Sequence, residues 1–172
     1  MEVIKYEGRT YTKVNGKWFD SMNMIAPLSV QSRLNFTFSK GLDYDTMDVS
    51  ELIKVADDYK ASQSFGLALK AYESAIKKSD NNQVAHILPR ITSCYRSVGQ
   101  PEKAIQVNSW AKKLFGASII SPALLTSIAA AYCDMGEYDN AKRCCDRAYA
   151  MAGGKGFIEL SLVYKRIESQ TK

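Results

Sequence analysis

The sequence predicts a mainly α fold: a solenoid of three helix-turn-helix pairs with a capping helix, preceded by a small antiparallel β-meander with one helix of its own. Three observations carry this. Tyr59, Ala68 and Ala75 recur as Tyr95, Ala104 and Ala111, and again as Tyr132, Ala141 and Ala148, with a Tyr-to-Ala interval of 9 and an Ala-to-Ala interval of 7 each time. A spacing kept through three copies marks a stacked-repeat architecture. Apolar residues within each copy follow the helical period, whereas residues 2–20 carry strand-type residues broken by two-residue turn signals.

Those turn signals are Glu7-Gly8 and Asn15-Gly16, pairs that accept the positive φ a tight hairpin demands. The runs between them are rich in Val, Ile, Tyr, Thr, Trp and Phe. Two-residue turns set the register: Val14 opposes Lys17 and Lys13 opposes Trp18. Ile4, Tyr6, Tyr11 and Trp18 then share one face, and Val3, Val14 and Phe19 share the other with Lys5, Thr10, Thr12 and Lys17. Three strands alone are marginal in water, so the aromatic face needs a cover. Residues 28–38 supply it, with Pro27 placed as a first helical residue and Val30, Leu34 and Phe38 forming an apolar stripe. Residues 40–48 read as a linker, with Asp48 or Ser50 placed to cap the next helix. The expected domains are 1–45, the meander with its helix, and 49–172, the helical repeats with their cap.

The repeat helices are expected at 49–62 and 65–79, 83–97 and 101–115, and 121–134 and 138–152. Leu52, Val55, Ala56 and Tyr59 lie at i, i+3, i+4 and i+7; Leu88, Ile91, Thr92 and Tyr95 repeat this, as do Leu125, Ile128, Ala129 and Tyr132. Small residues at the third position allow a paired helix to approach closely. Ser62-Gln63-Ser64, Gly99-Gln100-Pro101 and Gly136-Glu137 form the turns between partners.

The segments Tyr95-Arg96-Ser97-Val98-Gly99-Gln100-Pro101-Glu102-Lys103-Ala104 and Ala131-Tyr132-Cys133-Asp134-Met135-Gly136-Glu137-Tyr138-Asp139-Asn140-Ala141 resemble tetratricopeptide repeats, a family of 34-residue helix-turn-helix units. The resemblance covers about residues 49–153. The first copy has Gln63 at the turn glycine, the second has Asn108 where an aromatic is usual, and Asp80, Gly116 and Gly153 replace the terminal proline. The resemblance implies a concave groove lined by the first helix of each pair. Its groove positions here are Ser50, Ile53, Asp57 and Lys60; His86, Pro89, Ser93 and Arg96; and Ala123, Thr126, Ala130 and Cys133. The family's carboxylate clamp is disfavoured, since Ile53, Asp57, Ala123 and Thr126 stand at clamp positions, although Arg90 could occupy the intermediate one. Pro89 is expected in the first turn of a helix starting near His86, where proline costs little. Residues 156–170 read as a capping helix with Phe157, Leu160, Val163, Tyr164 and Ile167 on its apolar stripe.

The charge balance is +5, all of it beyond residue 48: residues 1–48 carry six basic and six acidic side chains. Such an excess favours acidic partners or nucleic acid weakly. The four cysteines (Cys94, Cys133, Cys144, Cys145) show no C-x-x-C spacing, and His86 is the only histidine. They read as thiols in or near the core, not as a disulfide or metal site. No G-x-S-x-G, phosphate-loop or H-E-x-x-H pattern occurs, so an enzyme is not expected and no cofactor is implied. No apolar run nears bilayer length and no secretory signal is evident, which predicts a cytoplasmic protein with no membrane partner. The expected function is that of a protein-protein interaction adaptor binding a peptide or partner protein in the groove. A homo-dimer is an open possibility. The alternative is nucleic-acid binding through the basic repeat region and the aromatic/Lys meander.

Overall fold

The computed structural model describes residues 2–39 and 41–170. Strands β1 (Glu2–Tyr6), β2 (Arg9–Val14) and β3 (Lys17–Asp20) are followed by helices α1 (Leu28–Ser39), α2 (Val49–Ala61), α3 (Phe65–Lys78), α4 (Asn81–Ser97) and α5 (Pro101–Phe115). A single 3-10 turn at Ala117–Ile119 precedes α6 (Pro122–Asp134), α7 (Tyr138–Met151) and α8 (Ile158–Gln170). Every helix expected from the periodicity is present, and only the 3-10 turn was not anticipated. The chain forms two compact units, Met1–Lys78 and Ser79–Lys172. The first unit holds α2 and α3 together with the meander and α1. Lys40, the start of the expected linker, lies outside the described residues.

In the first unit the meander has the order β1-β2-β3, with Val14 opposite Lys17, Lys13 opposite Trp18 and Ile4 opposite Tyr11. Both turns use two residues with positive φ: Glu7 at 48° and Gly8 at 76°, Asn15 at 48° and Gly16 at 77°. Gly16 is required twice over. A Cβ there would also stand 2.5 Å from Oδ1 of Asp58 on α2. Tyr11, Trp18, Ala26 and Leu34 form the core, with Ile4, Tyr6, Val30 and Phe38 packed on it. Helix α1 therefore covers the aromatic face, as its stripe requires. Pro27 stands one residue before the helix and accepts from Val30 and Gln31.

Burying Trp18 removes its indole N–H from water, and that donor must be satisfied. Trp18 Nε1 donates to Asn35 Oδ1 at 2.7 Å. Asn35 Nδ2 in turn donates to Ser62 Oγ at 2.6 Å and Ser64 Oγ at 3.3 Å. These serines flank Gln63, whose φ of 59° takes the left-handed place usual for glycine. The α2–α3 turn is thus held from outside by α1, and its serines are the acceptors. Lys13 adds a second tie. Its ammonium sits 5.7 Å from the Trp18 ring centroid, 5.0 Å from Phe38 and 5.6 Å from Tyr59, and 3.4 Å from Glu2 Oε2. The side chain is only 6% exposed, a geometry in which cation-π attraction is strongest. Asp48 caps α2 through a capping box with Glu51, and Lys78 Nζ donates to the carbonyls of Tyr44, Asp45 and Met47 at 3.0, 2.8 and 2.7 Å. The linker is thereby fastened to the end of α3.

In the second unit α4 pairs with α5, α6 packs on both and on α7, and α8 lies against α6 and α7. The small residues Thr92, Ala104, Ala129 and Ala141 are fully buried, as close helix approach requires. Leu160, Val163 and Ile167 of α8 are buried. Phe157 precedes the helix and Tyr164 is partly buried. Asp134 at the end of α6 joins three helices. It accepts from Arg96 Nε of α4 at 2.6 Å and from Arg166 Nη1 of α8 at 2.6 Å. Burial pushes its carboxyl pKa up, but the hydrogen bonds and charges of the two arginines outweigh this and hold it below the ordinary carboxylate range.

The position of Pro89 differs from expectation. Asp80 and Gln83 form a capping box, with Asp80 Oδ1 accepting from Gln83 N at 2.8 Å and Asp80 N donating to Gln83 Oε1 at 3.1 Å. This starts α4 at Asn81, two turns before Pro89, so the proline is inside the helix. Asp80-x-x-Gln83 was the local cue for that earlier start.

Two outcomes follow. Asn35→Ala leaves the Trp18 N–H without its acceptor and the serine pair without its donor; urea unfolding should show a loss of about 2–3 kcal/mol. Asp134→Asn should cost about 1 kcal/mol at neutral pH. Because the folded carboxyl is depressed, its contribution is present above the unfolded value near 4 and disappears as pH falls through the folded value. The stability curves of wild type and variant should therefore converge in acid.

Candidate functional site

The expected groove residues fall in both units. In the first, Ile53, Asp57 and Lys60 are all partly exposed on α2. Asp57 is engaged, since Tyr72 of α3 donates its hydroxyl to Asp57 Oδ1. That bond joins the two helices of the first pair and gives Asp57 a structural partner.

In the second unit α4 carries His86, Ser93 and Arg96. His86 is exposed and Ser93 partly so, whereas Arg96 is held by Asp134. On α6 the expectation of an open surface is not met for three residues. Thr126, Ala130 and Cys133 are 4%, 7% and 2% exposed. Helix α6 is packed by α4, α5, α7 and α8, and Arg166 of α8 donates to the Cys133 carbonyl at 3.1 Å. Thr126 also turns its hydroxyl back to the Pro122 carbonyl at 2.9 Å.

The structure instead brings together the first part of α4, the start of α6 and the α7–α8 connection. Ala85, His86, Pro89 and Arg90 form one wall. Ser121, Pro122 and Ala123 form the second, and Ala152 and Phe157 close the third. The resulting cleft is about 510 Å³, within the usual range for a ligand-sized concavity. Each wall has a local cause. Asp80 starts α4 early enough to turn residues 85–90 along the cleft. Ser121 caps α6 by accepting from Leu124 N at 3.2 Å, and Pro122 fills the first helical position, which needs no donor. Gly153 and Gly154, at φ 66° and 73°, turn the chain from α7 toward Phe157.

The polar groups at this cleft are few. Arg90 Nη1 donates to the His86 carbonyl at 2.8 Å, so the guanidinium folds along its own helix. Three groove positions, His86, Pro89 and Ala123, take part. Arg90 enters the reading only as a residue that could fill an intermediate clamp place, and Pro122, Ala152 and Phe157 are not among the expected site residues. Proline and alanine carry no chemical signature in sequence, and Phe157 reads equally well as helix core.

Nucleophilic chemistry finds no support in the thiols. Burial raises the pKa of Cys133 and Cys144 and pushes Cys145 up to about 12. These groups are protonated at neutral pH, and a thiol is a poor nucleophile. Among the described residues no three His, Cys, Asp or Glu side chains converge as a metal would require. Trp18 and Tyr11 are 0% and 7% exposed, so these two rings of the meander are spent in the core and are not open to stacking bases. No helix among the described residues is long and apolar enough to cross a membrane.

The sequence matches no known family profile and no curated protein. Solved structures do match. The Sgt2 TPR domain from Aspergillus fumigatus superposes with a TM-score of 0.60 at 18% identity, covering 72% of this chain and 78% of that one. PcrH from Pseudomonas aeruginosa gives 0.58 at 20% identity, covering 77% and 96%. PcrH in complex with the chaperone binding region of PopB gives 0.55 at 19%, covering 76% and 98%. A likeness at such identities speaks to the fold, and together with the repeat spacing and the paired helices it gives this chain a tetratricopeptide-like fold.

Proposed function

We propose that this protein is an interaction adaptor that seats an apolar segment of a protein partner in the cleft between α4, α6 and the start of α8. The observation that carries this reading is the cleft itself: a concavity of about 510 Å³ walled by Ala85, Pro89, Pro122, Ala123, Ala152 and Phe157. Apolar walls with few polar groups suit side chains driven from water by the hydrophobic effect. The PcrH complexes with the chaperone binding regions of PopB and PopD support the reading, because a protein of similar fold binds segments of other proteins. Ile53, Asp57 and Lys60 belong to the first unit, and the cleft does not depend on them. The protonated, buried cysteines favour binding over catalysis.

The test is selection from a phage-displayed library of random linear peptides against the full chain. Enriched peptides are then synthesised and titrated by fluorescence polarisation. Ala123 is exposed at the rim, so Ala123→Arg keeps the fold while placing a charged side chain across the cleft. Enriched peptides should carry large apolar residues and lose at least about tenfold in affinity to this variant. Binding that ignores Ala123→Arg and falls steeply with salt would move the contact to the basic surface and overturn the reading.

A further inference from the structure

Pro89 lies inside α4 and on the wall of the cleft. Proline has no N–H, so the carbonyl four residues earlier, that of Ala85, cannot receive the helix bond its position calls for. The pyrrolidine ring also crowds that carbonyl and turns it from the helix axis. Ala85 lines the same cleft as Pro89. The next carbonyl along, His86, already accepts a donor from outside the backbone ladder, the Arg90 guanidinium at 2.8 Å. In this stretch of α4 one carbonyl thus lacks its backbone donor and the next accepts a side chain.

We propose that the Ala85 carbonyl is the main-chain acceptor of the cleft, and that the segment bound there is extended and donates a backbone N–H to it. This rests on the cleft being the binding site. A helix laid along the cleft would not serve, because its interior N–H groups are spent on its own carbonyls and only its first turn has donors to spare. An extended segment turns alternate N–H groups to one side and alternate side chains to the other faces. It can therefore give one N–H to Ala85 while placing a side chain against Pro122 and Phe157. Once a ligand covers the cleft and excludes water, an acceptor left unmet is costly, so this oxygen would discriminate in favour of ligands that bring a donor. Pro89 would then be a positioning residue, retained against the stability of its helix.

The experiment uses the peptides enriched by display on the full chain. Each is resynthesised with single backbone N-methyl groups, one residue at a time, and titrated against wild type and Pro89→Ala. Alanine restores the helix bond to Ala85. The variant should melt at a higher temperature yet bind the parent peptide about tenfold more weakly. In wild type, N-methylation at one position should cost about tenfold; in Pro89→Ala the same methyl group should cost nothing further. Gain of stability with loss of affinity separates this role from general damage to the fold. A flat N-methyl scan in wild type, or the same penalty in both proteins, overturns the proposal while peptides sensitive to Ala123→Arg keep the cleft as the site. If no enriched peptide responds to Ala123→Arg, the cleft reading falls and this proposal with it.

Discussion

The first unit depends on keeping one indole N–H satisfied away from water. Trp18 is the largest side chain of the meander core and is fully buried, so its donor needs a partner inside the protein. Asn35 answers it and passes the demand on, through its amide, to Ser62 and Ser64. Each link of such a network is secure only while the others are met. The network joins β3, α1 and the α2–α3 turn, three elements far apart in sequence. It also accounts for the oddest departure from the repeat pattern. Where glycine usually ends the first helix, Gln63 stands between two serines, because the turn must offer hydroxyl groups to α1 as well as reverse the chain.

A similar economy holds in the second unit, with charge in place of the amide. Asp134 gathers arginines from α4 and α8 at the end of α6. One carboxylate so placed draws on the helix that precedes it and the helix that closes the stack. The result redefines what the inner face of α6 can do. Within this packing Thr126, Ala130 and Cys133 are interior, whereas Pro122 and Ala123 at the N-terminal end of α6 are not. The cleft lies at that open end.

The early start of α4 has the widest consequence for function. A capping box at Asp80 and Gln83 outweighs the local cost of carrying a proline further along. Moving the start of the helix by one turn converts Pro89 from a harmless first-turn residue into one that withholds a hydrogen bond from Ala85. The same shift sets His86 and Arg90 on the wall of the cleft. A feature that weakens the helix is thereby located where a partner's backbone can make use of it.

Much of this molecule was legible from its residues alone. The register of the meander followed from Glu7-Gly8 and Asn15-Gly16, since two-residue turns with positive φ leave one pairing. The helices followed from apolar spacing and small-residue positions, and the fold class from their repetition. These are local properties, decided by neighbours within a few positions. The tertiary structure alone decided which hydroxyls Asn35 would reach, that Lys13 would lie among the rings of Trp18, Phe38 and Tyr59, and that helix packing around α6 would close three residues expected to be open. It also assembled a cleft from Pro89, Pro122 and Phe157. Such outcomes depend on which distant surfaces meet, and prolines, alanines and a lone phenylalanine acquire a shared role only when packing brings them to one hollow.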